Sequence, residues 1–335
     1  MPGIALGNII TSVTQQRLFP AVVDNIYESF PLFARLRGKA RPWTGGYRLT
    51  IPTTVSNRTA GGSYSGFDTF STVQEDVRQQ FTINPSEYYW NASVSGIQKA
   101  LNKGPEAVVD LITAELSDVG RNLSENMAAD AFLDGTGNSS KAIAGLNYLI
   151  DDATDVVTFQ GLSRNTYTNL RATRTAQSGA LGFANLRTDY DACQRGSDSP
   201  TLGVTTPAVW SIIEAIIAPT INIEVGKSYP KGVPAGGEAG IGLNVGYTAL
   251  WFRGVPIISD EKCTAANLWF VNENHLHLYQ IEHDPMFVEG QKEGFAWTGW
   301  KKSQNQNAVA GQILWAGQLV GDSPRTMSRR TGITS

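Results

Sequence analysis

The sequence is poor in cysteine and contains no long apolar run. Its two cysteines, Cys193 and Cys263, lie far apart and outside any CxxC pair, which argues against a zinc knuckle and a disulfide framework. No run of about 20 apolar residues, the length that a membrane helix needs, occurs in the sequence. The first ten residues also lack the basic start of a secretory signal. These absences predict an unsecreted, cytosolic protein with no membrane partner.

Charged residues are also scarce, and the composition limits the possible architectures. They make up 17% of the chain, below the ~25% usual for soluble domains, whereas hydrophobic residues reach 41% and 34 of the 335 residues are glycine. Disorder is therefore excluded, and loops and strands are favoured. The chain is longer than a typical domain of ~150 residues, so its length predicts about two domains.

The few charges are unevenly distributed. Residues 1–58 hold seven Lys or Arg against two acidic residues, and residues 291–335 hold six against two, so both ends are basic and the middle is acidic. Basic ends on an acidic body indicate segments that meet an acidic partner, either nucleic acid or a neighbouring copy. Ordinary solvated surface would account for this pattern equally well.

Two strand-like stretches flank a polar segment in the first third of the chain. Residues 45–51 alternate apolar and polar side chains, and residues 81–94 are rich in strand formers. Together they predict a long hairpin over residues 45–95 whose distal half has few apolar residues to bury. Because an isolated two-stranded hairpin is marginal in water, such an arm needs a surface outside its own subunit.

The clearest helix begins at Pro105 and ends before Gly135. Its apolar residues recur every three or four positions and form one stripe. They are Val108, Ile112, Leu116, Val119, Leu123 and Met127. The charged residues lie on the opposite face, so the spacing predicts an amphipathic rod of about 45 Å rather than a membrane span.

The remaining sequence predicts a mixed α+β region. Helices are predicted over 163–170, 183–195 and 206–217, followed by a glycine-rich loop over 226–246. Strands are predicted over 249–258, 267–271, 275–281 and 308–320.

A histidine cluster is the strongest candidate for chemistry. His275, His277 and His283 are the only histidines, and their odd numbering would place them on one strand face, where two histidines can share a metal. No acidic ligand stands at a recognised spacing elsewhere, so surface histidines are the favoured interpretation and no metal is predicted. GKS at 226–228 lacks the first glycine of a phosphate-binding loop, and no GxSxG elbow occurs. We therefore predict no catalytic, cofactor or metal site, and the alternative is a metal-dependent hydrolase that uses the three histidines.

Several stretches resemble the major capsid proteins of tailed bacteriophages. Residues 252–279 resemble that family's "F-G-P-I-D" strand and the strands after it, residues 162–173 and 204–216 its helices, and residues 323–333 its closing segment. The predicted order of a basic arm, a long hairpin, a long helix and a mixed domain is also that of the family's Hong Kong 97-type shell fold. The sequence departs from the family at 264–266, where Thr-Ala-Ala stands in place of the common Pro-Gly.

The resemblance implies an α+β, Hong Kong 97-like phage capsid fold with four parts. Residues 1–44 would form the N-terminal arm and residues 45–95 the extended loop, a β-hairpin. Residues 96–149 and 286–335 would form the peripheral domain with the spine helix, and residues 150–285 the axial domain.

The resemblance also implies a structural function. The protein would assemble with other copies into hexamers and pentamers of an icosahedral shell enclosing phage double-stranded DNA, in the virion capsid and after assembly in the bacterial host cytoplasm. Further partners would be portal, minor or decoration proteins and, if Met1 is the native start, a separate scaffolding protein or none. An encapsulin-like nanocompartment shell that encloses cargo enzymes is the main alternative.

The resemblance assigns candidate contact residues to the hairpin and the arm. Tyr64, Phe67 and Phe70 would contact a neighbouring subunit. The basic arm residues that would face DNA or a neighbour are Arg17, Arg35, Arg37, Lys39 and Arg41. Certain relatives join a lysine of this loop covalently to a neighbour, but no lysine occurs between Lys39 and Lys99. Arginine stays protonated and cannot replace it, so we expect a non-covalent shell.

Overall fold

The computed structural model describes residues 30–101, 111–217, 249–284, 290–292 and 294–334. These residues form an α+β fold in which helices pack against two large sheets. The helices are α1 (Pro31–Gly38), α2 (Gly96–Leu101), α3 (Leu111–Asp130), α4 (Leu146–Leu149), α5 (Phe183–Cys193) and α6 (Pro207–Ile217). Among the described residues, no helix is both long enough and apolar enough to span a bilayer.

The larger sheet has seven strands and is built on one long central strand. Its strands are β1 (Arg41–Trp43), β4 (Ser86–Ser95), β12 (Leu276–Ile281), β13 (Gly290–Lys292), β14 (Phe295–Trp297), β15 (Lys301–Lys302) and the central β16 (Ala308–Gly321). One edge of β16 pairs with β4, and its other edge pairs with β12, β14 and β15, all antiparallel. Gly317 of β16 is required by close packing, because a Cβ there would collide with the Tyr279 carbonyl oxygen and the Trp315 ring.

The smaller sheet has six strands and contains the last strand of the chain. In spatial order they are β7 (Thr173–Ala176), β17 (Ser328–Thr331), β11 (Leu268–Val271), β8 (Leu202–Thr205), β10 (Val255–Ser259) and β9 (Ala249–Phe252). Helices α5 and α6 contribute Leu186, Val209 and Ile213 to the core that buries Phe270 of this sheet. Strand β17 therefore lies inside the sheet, between β7 and β11, rather than at its edge.

The long helix α3 confirms the predicted apolar stripe over the described part of the chain. Val119, Leu123 and Met127 are buried, and α3 packs beside β4. The predicted start at Pro105 lies outside the described residues. The helix ends at Asp130, before the predicted stop, because residues 131–135 form a turn in which Gly135 adopts a positive φ of 81°.

The predicted hairpin is present but shorter than expected. Strands β2 (Leu49–Thr54) and β3 (Arg78–Ile83) pair antiparallel, and residues 55–77 between them contain no regular secondary structure. Phe81 is buried and packs edge-to-face on Phe159, 5.3 Å between ring centroids, which anchors the hairpin base in the body. The prediction that the hairpin continues to residue 95 is wrong, because β4 turns away from β2 and pairs with β16 instead.

One further prediction is wrong, and another is not tested by the described residues. Residues 163–170 do not form one helix. They begin in a two-residue strand pair, β5 (Thr158–Phe159) with β6 (Leu162–Ser163), and end in the single 3-10 turn Thr168–Leu170. The predicted loop over 226–246 lies outside the described residues.

The sheets do not follow the predicted domain boundaries at two places. Strand β17, placed in the peripheral part, lies in the smaller sheet, and β12, placed in the axial part, lies in the larger sheet. The chain crosses between the sheets after β4, after β11 and again after β16, so the crossings do not fall at the predicted boundaries. The four-part division stays a prediction.

Candidate subunit interfaces

The end of the hairpin presents three aromatic side chains to solvent. Tyr64 and Phe70 are 67% and 68% exposed, and Phe67 is fully exposed at 105%. A tight turn places Phe67 at the apex: the Asp68 amide donates to the Ser65 carbonyl oxygen at 2.8 Å, and the Ser65 amide donates to Asp68 Oδ2 at 2.7 Å. Below the turn, Tyr64 and Phe70 stack edge-to-face, 5.0 Å between centroids. The tip is thus a defined aromatic projection, which we call the Phe67 turn (residues 64–70).

A carboxylate holds the two limbs of the loop together below this tip. The Glu75 side chain accepts hydrogen bonds from the backbone amides of Thr59 and Ala60, at 2.8 and 3.1 Å, and from the Thr59 hydroxyl. The hydroxyl and amide of Thr59 together lower the pKa of the Glu75 carboxyl. Glu75 therefore substitutes for the ladder hydrogen bonds that the hairpin lacks beyond β2 and β3.

A groove of about 1380 Å³ runs along the open edge of β4. Among the described residues β4 pairs only with β16, so its second edge is unpaired. The groove is bounded by the end of α3 and the segment after it. Its lining includes Tyr88, Tyr89, Trp90, Asn126, Asp130, Lys141, His283, Gln312, Leu314 and Trp315. We call this feature the β4 groove.

One wall of the β4 groove is fixed by a buried hydrogen-bond network. The Tyr88 hydroxyl donates to Asp130 Oδ2 at 2.6 Å and accepts from the Ile143 amide at 2.9 Å. Burial, together with the hydrogen bond to Asp130, raises the pKa of Tyr88, so the phenol stays protonated. The Tyr88 ring also packs edge-to-face on Trp315, 5.9 Å between centroids. This wall of the groove is therefore preorganised.

The rim of the β4 groove has a strained backbone. Asn138, Ser139 and Ser140 have φ values of 48°, 58° and 63°, a run of three non-glycine residues in the left-handed region. Such residues cost on the order of 1 kcal/mol or more each and persist only where surrounding contacts enforce them. Here the amides of Ser140 and Lys141 donate to the carbonyl oxygens of Thr136 and Gly137, at 3.1 and 3.2 Å.

The predicted basic arm is partly integrated into the body. Arg35 donates two hydrogen bonds of 2.7 Å to the Glu273 carboxylate, and Lys39 donates a third of 3.3 Å. Burial would raise the pKa of Glu273, but Arg35 and Lys39 outweigh burial and lower it. Arg35 and Lys39 are thus bound within the chain.

The other arm residues lie at different places. Arg37 stacks over the Phe295 ring at 5.5 Å, and the exposed Arg41 donates to the Tyr279 hydroxyl at 3.5 Å. Arg17 lies outside the described residues.

Comparison with known proteins identifies the fold but gives no sequence relative. No family model and no curated protein matches the chain. Solved structures, however, match the chain. A chain of the cyanophage A-1(L) capsid superposes with a TM-score of 0.73 and 13% identity, covering 98% of this chain and 99% of that one. A chain of the capsid of Myoviridae phage XM1 superposes with a TM-score of 0.61 and 10% identity, covering 99% and 100%.

The chain has the Hong Kong 97-type capsid fold. The capsid fold extends beyond phages, because the SrpI encapsulin of Synechococcus elongatus PCC 7942 superposes with a TM-score of 0.62 and 10% identity, covering 99% of this chain and 96% of that one. The likeness therefore confirms the predicted fold.

Within the capsid fold, the three histidines do not form a metal site. His275 Nε2 lies 3.3 Å from Asp198 Oδ2, and His277 Nε2 lies 3.2 Å from Asp322 Oδ2, so the two rings engage different carboxylates. His283 lies in the wall of the β4 groove. The described residues contain no group of three His, Cys, Asp or Glu that could hold a metal ion. The metal-hydrolase alternative has no support in this part of the chain.

Sequence reasoning found the hairpin aromatics but missed the β4 groove and the role of Glu273. The groove combines residues 85–91, 126–142 and 312–315, and no spacing in the sequence brings these ranges together. Glu273 had no visible signal either, because its partners lie more than 230 positions earlier.

Proposed function

We propose that this protein is a major capsid protein. Copies of it assemble into hexamers and pentamers of an icosahedral shell that encloses phage double-stranded DNA. The observation that carries the proposal is the end-to-end superposition on a phage capsid chain, 98% of one and 99% of the other. The exposed Phe67 turn adds support, since large apolar side chains exposed at the end of a projection mark an interaction surface.

In this proposal the protein acts by assembly and not by catalysis. The solved structures on which the chain superposes are chains of phage capsids and of an encapsulin. Tyr64, Phe67 and Phe70 contact a neighbouring subunit. Arg17, Arg37 and Arg41 carry the electrostatic contact with DNA or a neighbour, and Arg35 and Lys39 position α1 through Glu273.

The remaining parts of the proposal concern partners and location. The shell belongs to a virion and assembles in the bacterial host cytoplasm. It takes portal, minor or decoration proteins and a separate scaffolding protein as further partners. The N-terminal arm, extended loop, peripheral domain and axial domain follow the order given by the sequence resemblance, but β4 is excluded from the extended loop, and β12 and β17 are exchanged between the last two.

The second candidate is an encapsulin-like compartment, which the superposition on the SrpI encapsulin favours. The contents of particles distinguish the two. Particles purified from the cells that produce them are treated with nuclease, then opened and analysed. Protected double-stranded DNA supports the capsid proposal, whereas a cargo protein without DNA supports the compartment. Recovery of the protein only as free subunits from such cells contradicts both.

A further inference from the structure

The base of the extended hairpin rests against one irregular segment of its own chain. The Thr82 amide on β3 donates to the Gln160 carbonyl oxygen at 2.8 Å. The Val55 carbonyl oxygen, just after β2, accepts from Asn169 Nδ2 at 3.1 Å. The edge-to-face ring contact at the hairpin base involves the same segment. We call residues 156–170 the hairpin support.

The hairpin support has little regular structure to keep its own shape. Its regular elements are the two-residue strands β5 and β6 and one 3-10 turn. Its tight turn has positive φ values at Gln160 and Gly161, 47° and 90°. This turn lies so close to β3 that a Cβ on Gly161 would sit 3.4 Å from the Thr82 Cβ. A segment of this kind needs contacts from elsewhere to hold one conformation.

Arg164 supplies these contacts from inside the hairpin support. Its side chain is fully buried, and its guanidinium donates to backbone carbonyl oxygens at 2.7 to 3.4 Å. The acceptors lie in the hairpin support and at the end of α4, and they are Val156, Thr158, Leu170, Tyr148 and Leu149. The guanidinium also lies 4.9 Å from the centroid of the Phe159 ring, which packs on Phe81.

The chemistry of arginine suits this role. The planar guanidinium carries five N–H donors in a fixed fork, so one side chain can bond carbonyl groups from separate turns of the backbone. Burial lowers the pKa of Arg164 to about 10, and the group is still charged at neutral pH. Its hydrogen bonds satisfy carbonyl oxygens that irregular backbone would otherwise leave unpaired. Arg164 therefore holds the hairpin support in one conformation and joins it to α4.

We propose that Arg164 is a positioning residue that sets the direction in which the hairpin leaves the body. It acts through Phe159 and Gln160, the two residues of the hairpin support that contact β3. This inference rests on the proposed shell function, in which identical subunits repeat the same contacts. A ring or shell closes only when the angle of each contact repeats accurately, so an unsteady hairpin should give irregular particles.

Hydrogen exchange in dissociated subunits tests the positioning directly. Arg164→Lys keeps the positive charge but offers only three donors from one point, so it cannot bond all the carbonyl oxygens that Arg164 bonds. The Thr82 amide should then exchange at least about tenfold faster, the equivalent of one lost hydrogen bond to a charged group. Amides of the central strand β16 should change much less, because the substitution loosens the hairpin and not the large sheet.

The matched control is a second buried arginine in another part of the fold. Arg330 on β17 pairs with Asp189 on α5. Arg330→Lys should therefore lower the unfolding midpoint without a selective increase of exchange at Thr82. If Arg164→Lys accelerates exchange equally in β3 and β16, as a general loss of stability would, the positioning role is overturned.

A milder variant keeps the proposal testable if Arg164→Lys does not fold. Asn169→Ala removes the hydrogen bond to Val55 at a half-buried position of the hairpin support. It should give the same selective increase at Thr82, smaller in size. Because Asn169 also accepts from Arg325, Arg325→Met is its control and should leave exchange at Thr82 unchanged. No selective response to Asn169→Ala would show that the support does not hold the hairpin.

Electron microscopy of assembled shells tests the consequence for assembly. Arg164→Lys should give particles of mixed diameter or incomplete shells, whereas Arg330→Lys should give shells as uniform as those of the unsubstituted protein. Uniform shells from Arg164→Lys overturn the inference and leave the shell function standing. Failure of the unsubstituted protein to form shells contradicts the proposed function itself, whereas the exchange result at Thr82 stands independently of it.

Discussion

Arg330 and Asp189 form the most deeply buried ion pair among the described residues, with side chains 5% and 2% exposed. The guanidinium donates to both carboxylate oxygens, at 2.6 and 2.7 Å, and Nη1 donates to Gln177 Oε1 at 2.6 Å. Burial raises the pKa of Asp189, although the hydrogen bond and the charge of Arg330 lower it. The ion pair must therefore offset a large cost of desolvation. The pair fastens β17 to α5.

Removing one partner of this pair should be strongly destabilising. Arg330→Met leaves the Asp189 carboxylate buried and uncompensated, so we expect the free energy of unfolding of the subunit to fall by about 3 to 5 kcal/mol. Urea unfolding of dissociated subunits measures it. The matched control is Arg253→Met, because Arg253 pairs with Asp191 on the surface and should contribute no more than about 1 kcal/mol. Equal losses for the two variants would contradict this account.

Asp260 makes the stability of the subunit depend on pH. Its carboxylate is buried and accepts hydrogen bonds from the amides of Leu32, at the start of α1, and Lys262, at 3.3 and 2.9 Å. Burial raises its pKa to about 6, although these amides lower it. A folded-state pKa above the unfolded value means that the folded state binds the proton more tightly, so stability falls as pH rises from about 4 to about 6.

The variant Asp260→Asn keeps one acceptor oxygen for the two amides, which donate to different oxygens of Asp260, and it cannot titrate. Relative to this variant, the natural subunit should lose about 1.4 kcal/mol of unfolding free energy for each pH unit between those values. Denaturant unfolding of both proteins at several pH values provides the difference. A difference that is constant across the range, or that changes in the opposite direction, would show that Asp260 titrates normally.

At the scale of elements, local patterns predicted the strands and helices better than their partners. The 3.6-residue stripe of α3 and the Pro207 start of α6 are local signals, and both are present in the structure. The predicted end of the hairpin at residue 95 is wrong because β4 has the alternating pattern of a hairpin strand. Only its contact with β16, more than 210 positions later, decides its pairing. Long-range pairing of this kind leaves no mark in local sequence.

Strand β17 shows the consequence of such pairing for folding. It lies inside the six-stranded sheet, so the sheet cannot close until residues 328–331 are made. Deleting residues 328–335 should leave β7 and β11 with unpaired edges and yield insoluble protein. A chain ending at Ile333, which removes only the exposed Thr334 and the final serine, should stay soluble and folded. Solubility and circular dichroism of the two truncations test this, and a folded 328–335 deletion would contradict it.

At the scale of the whole molecule, the hairpin has no amine with which to join a neighbour covalently. Residues 40–98 contain no lysine, and the arginines of the hairpin stay protonated. Mature shells boiled in detergent under reducing conditions should therefore run as one band at the subunit mass of 36.2 kDa. A ladder of covalent oligomers from the unsubstituted protein would refute non-covalent assembly.

Assembly of copies of this chain into a closed shell can be observed by electron microscopy of the purified protein at concentrations where subunits meet. We expect closed particles of uniform diameter whose surfaces divide into rings of six and five subunits. A population of free subunits, or aggregates without a closed outline, under every condition in which the subunit is folded would contradict it.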